Sequence, residues 1–331
     1  MRISSSSALF SVAASLLAIV GMSIVESAAQ AQAPAGRGGA VRERIIERIR
    51  DRAGDRAIAP AAKTDAAKSD AGEPSELGGR KVVIWKPAEA KGPMPLVVFS
   101  HGFHGTPTQS KFLTAALAKQ GYLVVAPKHA DSGFALGGDG SLKPDEKFGE
   151  PESWTEKTYR DRGDDVRAIV EALKNDKQWT ERIAWEKVAL IGHSLGGYTS
   201  LGAAGAWPSW KLAEVKAVVA LSPYCSPYVK SGTLAKLNVP VMYQGGTRDF
   251  GITPFVKRSG GAYDATPSPC VFVEFDGAGH MAWTDLKPDH HDSITRYTLA
   301  FLAKHLQHET DPKTTTDLGA KRADVAELRA K

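Results

Sequence analysis

Cysteine is scarce in this chain: Cys225 and Cys270 are the two in 331 residues. So few thiols exclude a cysteine-dense framework of the kind that staples small folds. Charge of one sign is also in short supply. The net charge is +5, and apart from one dense run near the N-terminus the basic residues are spread along the chain. That is at most a weak attraction for acidic partners and gives no footprint for specific nucleic-acid binding. Metal-ligand spacing is missing too. His101 and His104 have no Cys, Asp or Glu at a matching interval, and Asp289-His290-His291-Asp292 reads as solvated polar capping at a helix start. No metal and no cofactor is expected.

Long apolar runs are confined to residues 8–25. The run follows a weakly positive start at Arg2 and leads into Ser-Ala-Ala-Gln-Ala-Gln-Ala at 27–33, with overlapping A-x-A sites. This is the pattern of a secretory signal peptide over 1–33. The alternative is a single membrane anchor of borderline length. Cleavage would leave no stable membrane span and would place the protein in the periplasm or outside the cell. Residues 34–79 are rich in Ala, Gly, Pro and charge and read as a flexible linker. Val41, Ile45 and Ile49 make a thin helical stripe there, either a transient helix or a partner-binding one.

What the chain does have is a regular alternation from about residue 80 to 308. Apolar residues at 42% and charged residues at 24% are those of an ordinary globular domain. Short apolar runs at 81–86, 96–100, 122–126, 188–191, 215–221, 239–244 and 271–275 read as strands. Helical patterns at 112–120, 164–173 and 293–306 lie between and after them. The alternation predicts a mostly parallel α/β sheet with helices on both faces, in one domain. Residues 309–331 read as a polar, frayed tail with at most a turn of helix at 324–329. Three longer segments, 130–158, 222–238 and 250–269, each follow a strand, which puts them over the carboxyl edge where open α/β folds bind ligands.

The run at 188–191 leads into Gly192-His193-Ser194-Leu195-Gly196. This fits the G-x-S-x-G turn that presents a nucleophilic serine between strand and helix. Taken alone it is equally a Gly-rich turn whose serine caps a helix. The downstream residues decide. A serine nucleophile needs a base, and the base an orienting acid. His280, in the Gly-rich loop Asp276-Gly-Ala-Gly-His280 after a strand, is the candidate base. Asp249, in Gly245-Gly-Thr-Arg-Asp249 after the preceding strand, is the candidate acid, with Asp276 and Asp285 as rivals. The backbone N–H groups of Leu195 and Phe103 are candidates for the oxyanion hole. Tyr224 and Trp283 are candidate pocket residues, joined by Phe134 and Trp154 from the 130–158 segment.

The stretches His101-Gly-Phe-His-Gly105, Gly192-His-Ser-Leu-Gly-Gly197, Gly246-Thr-Arg-Asp249 and Gly277-Ala-Gly-His280 resemble, in order and spacing, the α/β-hydrolase superfamily. Within it the chain is similar to the branch of platelet-activating-factor acetylhydrolase-like lipases, chlorophyllases and cutinase-like polyester hydrolases. Tyr224 stands where the polyester hydrolases usually carry Trp, and Leu195 where they commonly carry Met. The resemblance implies an α/β-hydrolase fold and an exported serine esterase acting on a small or lipid-like ester through an acyl-enzyme. Amidase, peptidase or acyltransferase chemistry on the same residues is the alternative, and a non-catalytic binding module a further one. In that fold Cys225 lies past the end of one strand and Cys270 begins another, about one strand length (~17 Å) apart. A disulfide needs Cα atoms within about 7 Å, which argues against a bridge. Oligomeric state is left open.

Overall fold

The computed structural model describes residues 72–90, 92–133, 153–309 and 317–331. The segment read as a signal peptide, the 34–71 part of the linker and Phe134 lie outside them. Nine strands form one sheet: β1 Glu73–Leu77, β2 Arg80–Trp85, β3 Met94–Ser100, β4 Leu123–Pro127, β5 Ile183–His193, β6 Val215–Leu221, β7 Val241–Gly246, β8 Cys270–Phe275 and β9 Val325–Ala330. Their order is β1-β2-β4-β3-β5-β6-β7-β8-β9. The β4-β3-β5-β6-β7-β8 stretch is parallel, and β1, β2 and β9 run antiparallel to their neighbours.

The parallel strands are buried on both faces, so their sequences are nearly continuous runs of Val, Leu, Ile and Ala. Period-two alternation still sorts them. Val97, Phe99, Val124, Ala189, Ile191, Ala217, Val219, Met242, Val271 and Val273 face one layer. There they meet Leu113 and Leu117 of α1 (Lys111–Lys119) and Ile294, Tyr297 and Phe301 of the long helix His291–His305. Helix α2 (Arg160–Asn175) buries Val166, Ile169, Val170 and Leu173 outside that cluster.

The strand order reverses between β3 and β5. The chain leaves β3 through α1 toward β4 on one side and returns through α2 to β5 on the other. Such a reversal opens a crevice beyond the carboxyl ends of the two strands. The loops after β3 and β5, which carry Phe103 and Ser194, start at that crevice.

Two expected boundaries are corrected. The sheet begins before residue 80, because β1 pairs antiparallel with β2 from Glu73↔Ile84 to Leu77↔Arg80. The last residues of the C-terminal tail are not frayed. β9 pairs with β8 from Val271↔Ala330 to Phe275↔Val325, and Val325 is buried in the main core. Its composition hid it, since an edge strand with Glu327 and Arg329 shows little apolar alternation. The 222–238 and 250–269 segments contain short helices, among them Ser226–Ser231 and Thr253–Lys257.

Cys225 and Cys270 are buried free thiols, and burial pushes both up to about 12. Among the described residues no helix is long and apolar enough to cross a membrane.

Deleting residues 323–331 should strip the edge of β8. The expected effect is a fall in Tm of about 5–10 °C, the shift given by a loss of about 2–3 kcal/mol in a domain of this size. Calorimetry of the truncated chain checks it; an unchanged Tm would mean that β9 contributes nothing to the sheet.

Candidate active site

Ser194 follows the last residue of β5 at φ 56° and ψ −117°. A non-glycine residue holds this strained conformation only where its surroundings over-determine it. Here they do. A Cβ on Gly192 would lie 2.1 Å from the carbonyl oxygen of Gly196, and one on Gly196 would lie 1.9 Å from that of Ser100. Backbone therefore packs on backbone both across the turn and between the turn and β3. The Ser194 N–H donates to Leu221 O at 2.9 Å, and its carbonyl accepts from Gly197, Tyr198 and Tyr224. The helix Leu195–Leu201, here α3, starts directly behind it. Its first N–H, that of Leu195, precedes any acceptor in the helix.

His280, in the loop after β8, lies with Nε2 3.0 Å from Ser194 Oγ. Its Nδ1 is 3.2 Å from Asp249 Oδ1, on the loop after β7. These three residues, distant in sequence, are thus brought into one hydrogen-bonded line. Burial alone would push the Asp249 carboxyl up. The adjacent His280 and the hydrogen bonds from His280 and Ser222 outweigh it and hold the group below its ordinary value. The rival acids are engaged elsewhere. Asp276 accepts from Thr247 Oγ1 at 3.1 Å, and Asp285 from the Phe112 N–H at 3.0 Å.

Ser222 is a residue that sequence reasoning missed in this role. It ends the apolar run of β6 with φ 42°. Its hydroxyl donates to Asp249 Oδ2 and sits 3.0 Å from His280 Nδ1. The imidazole Nδ1–H is therefore shared between Asp249 and Ser222. Thr253 Oγ1 also donates to Asp249 Oδ2, at 3.3 Å. The sequence signal is slight: a polar residue closing an apolar strand ahead of Pro223.

The loop after β3 comes close to the serine. A Cβ on Gly102 would lie 3.4 Å from that of Ser194. Arg162 of α2, fully buried, donates Nη1 to the His101 carbonyl at 2.9 Å and Nη2 to the Gly102 carbonyl at 3.2 Å. In a trans peptide the N–H opposes the C=O. Turning the Gly102 carbonyl to Arg162 therefore turns the Phe103 N–H away from it. Asp131 balances the guanidinium, taking Nη2 at 2.8 Å and Nε at 3.1 Å, and also accepts from the His104 N–H at 3.3 Å. Burial would raise the Asp131 carboxyl, but Arg162 overrides this and holds it well below the carboxylate range.

The two candidate pocket residues separate. Tyr224 is buried beside Ser194, its N–H 3.1 Å from the Ser194 carbonyl, and its ring stacks on Trp154 at 5.0 Å. Trp154 in turn meets Tyr159 and Tyr198 edge-on. Phe103 is half-buried, 6.3 Å from Tyr159. Trp283 is corrected. It is fully buried in the main core, and its Nε1–H donates to Gln244 Oε1 at 3.0 Å, satisfying a polar side chain inside β7. It supports the His280 loop from below instead of lining a pocket.

Ser100, His129 and Asp165 make a second line of the same residue types. His129 is 3.2 Å from Ser100 Oγ and 2.9 Å from Asp165 Oδ2. All three are buried, with Asp165 also bound to Arg80 at 2.5 Å. Burial, with Arg162 nearby, holds His129 well below its ordinary value, so it is neutral. His101 is likewise buried, with Nε2 2.5 Å from Ser132 Oγ. Among the described residues no cluster of His, Cys, Asp or Glu is able to hold a metal.

The depressed Asp131 carboxyl has a sign that fixes its effect on acid unfolding. Its stabilising ionisation is fully present above the unfolded carboxylate value of about 3.9 and is lost as pH falls below that toward the lower folded value. Asp131→Asn should therefore be less stable at neutral pH yet lose stability less steeply below about pH 4. Urea titrations at stepped pH test this. Equal slopes in both proteins would rule out the linkage.

The family model described as Hydrolase_4, serine aminopeptidase S33, matches residues 91–285, more than half of the chain. No curated protein matches it. The matched span runs from just before β3 to just beyond His280 and takes in the serine turn and both partner loops. The chain belongs to this family and is an α/β-hydrolase.

Proposed function

We propose that the protein is an exported serine hydrolase of carboxylic esters, with Ser194 as nucleophile, His280 as general base and Asp249 as the acid that orients it. The observation that carries the reading is the 3.0 Å approach of His280 Nε2 to Ser194 Oγ with Asp249 behind Nδ1 at 3.2 Å. With Nδ1 protonated and held by Asp249, Nε2 is left as the lone pair facing the hydroxyl.

Ser194 Oγ attacks the ester carbonyl while His280 takes its proton. The N–H groups of Leu195 and Phe103 stabilise the alkoxide. Collapse expels the alcohol, which takes the proton back from His280 and leaves Ser194 acylated. Water, deprotonated by His280, then attacks the acyl carbon; collapse breaks the bond to Ser194 Oγ, which takes the proton back from His280, and the carboxylic acid is released. Neither metal nor cofactor enters this scheme.

The ester substrate is supported by the likeness of the motifs to the acetylhydrolase-like and polyester-hydrolase branch. It is also supported by exposed apolar residues near the site in sequence. Phe250 and Leu286 are the exposed large apolar side chains among the described residues, at 76% and 73%. Phe250 follows Asp249 directly, and Leu286 lies on the loop that leaves His280. Exposed apolar side chains this close in sequence to Asp249 and His280 suit a small or lipid-like acyl ester. Peptide or other amide cleavage is the second reading, favoured by the family description. Export is supported by the signal-like pattern of residues 1–33.

Ser194→Ala should lower p-nitrophenyl butyrate hydrolysis by at least about 10³-fold with Tm retained, since the proposed reaction runs through that oxygen. Retained turnover would exclude Ser194 as nucleophile. Matched ester and anilide substrates of one acyl group decide between the two readings: a kcat/KM that favours the anilide would replace the esterase reading by the amidase one.

A further inference from the structure

The three loops that meet at Ser194 leave the sheet at β3, β5 and β8. β3 and β5 are neighbours, but β8 lies three strands beyond β5. Something besides the sheet must set the distance between the His280 loop and the other two. We infer that Gln109 and His193 form a positioning strut that ties the Gly102–Phe103 loop, the serine turn and the His280 loop into one hydrogen-bonded unit.

The strut is continuous. The Gly102 N–H donates to Gln109 Oε1 at 3.1 Å. Gln109 Nε2 is 3.1 Å from His193 Nδ1. His193 Nε2 is 2.9 Å from the carbonyl oxygen of His280. Backbone groups at both ends dictate its polarity. A backbone N–H only donates, so the amide oxygen of Gln109 faces Gly102 and its NH₂ faces His193. A carbonyl only accepts, so the proton of His193 sits on Nε2 and the lone pair on Nδ1. Each group in the chain has one orientation, and the imidazole must be neutral. Burial, with the neighbouring His280 adding to it, pushes His193 down to about 3. The titratable groups that face it are His280, Asp249 and His101.

The strut acts where it matters for the chemistry. His193 is the residue before Ser194, and it holds the backbone carbonyl of the residue whose Nε2 meets Ser194 Oγ. Nucleophile and base are thus joined twice, once through side chains and once through His193. The Gln109 segment is joined to the same loop by two further bonds. The Asp285 N–H donates to Gln109 O at 2.8 Å, and Ser110 Oγ donates to Trp283 O at 2.6 Å. His193 touches no reacting atom in the proposed scheme. It positions His280, and the inference rests on the hydrolase reading above.

The test compares His193→Phe with His193→Gln. Phe fills the site but donates nothing to the His280 carbonyl, whereas Gln retains a donor and an acceptor. A shift of the base by a fraction of an ångström to 1 Å predicts a kcat about 10-fold to 100-fold lower for His193→Phe, with KM for p-nitrophenyl butyrate within about 2-fold. His193→Gln should recover most of that loss. The rate of fluorophosphonate labelling of Ser194 should fall and recover in parallel. Labelling needs the activated serine but no assigned substrate, so a mistaken ester assignment leaves it readable, and a wild-type protein that does not label overturns the hydrolase reading instead.

Gln109→Leu, which cuts the strut without touching the serine turn, should show the same loss of kcat. It decides the matter if His193→Phe does not fold. Wild-type kcat and labelling in Gln109→Leu, or equal loss in both His193 variants, would overturn the inference.

Discussion

The close approach of Gly196 to the Ser100 carbonyl is the constraint on which the site depends. A Cβ on Gly196 would stand 1.9 Å from that oxygen, a distance no side-chain carbon tolerates. Because both positions are backbone, the start of α3 presses directly on the end of β3. Ser194 is held at positive φ, and the loop carrying Gly102 and Phe103 is held beside it. The strand reversal between β3 and β5 supplies the crevice; this contact determines which residues line its floor.

The polar interior above that contact follows one pattern. Arg162 donates to two carbonyls of the β3 loop, Gln109 and His193 link its N–H to the His280 carbonyl, and Ser222 and Thr253 donate to Asp249. Each group anchors a loop by bonding buried backbone or carboxylate atoms. Leaving such atoms unpaired costs about 1–3 kcal/mol apiece, so the networks and the loop positions stand or fall together. In the proposed reaction they would surround the charge that develops at Ser194 with fixed dipoles in place of mobile water.

Much of this was legible in the sequence, and the reason is local. Seven of the strands follow from apolar runs, because strands buried on both faces carry little else. Ser194, Asp249 and His280 could be singled out because each sits in a Gly-rich loop directly after such a run, so their shared edge follows from strand direction alone. Residues whose roles depend on partners far away in the chain were not legible. Arg162 reads as one more basic residue just ahead of the expected helix at 164–173, and its partners are 31, 60 and 61 residues away. Trp283 is three positions from His280, yet it packs into the core and lines no pocket. Only the fold places Gln244 under its indole nitrogen. β9 was lost for the opposite reason: its charged residues belong to an edge strand, whose identity comes from its pairing with β8 and not from its own pattern.

Ser100, His129 and Asp165 show why residue types and distances alone do not make an active site. Their spacings, 3.2 and 2.9 Å, match those of Ser194, His280 and Asp249. Two differences separate the lines. Ser100 is the last residue of β3, is buried, and turns its hydroxyl to His129. Ser194 is lifted out of the strand by its positive φ and has the N–H of Leu195 directly behind it. The acids differ as well. Asp165 is shared with Arg80, and burial still raises its carboxyl, whereas Asp249 faces His280 and is held low. In the proposed reaction, a carboxylate held low beside the imidazole is what would stabilise the imidazolium formed when His280 takes the serine proton. His129, buried and held neutral, instead works as a fixed link between β3 and α2. The two lines thus differ in the turn that carries the serine and in the direction in which burial and neighbours move the acid.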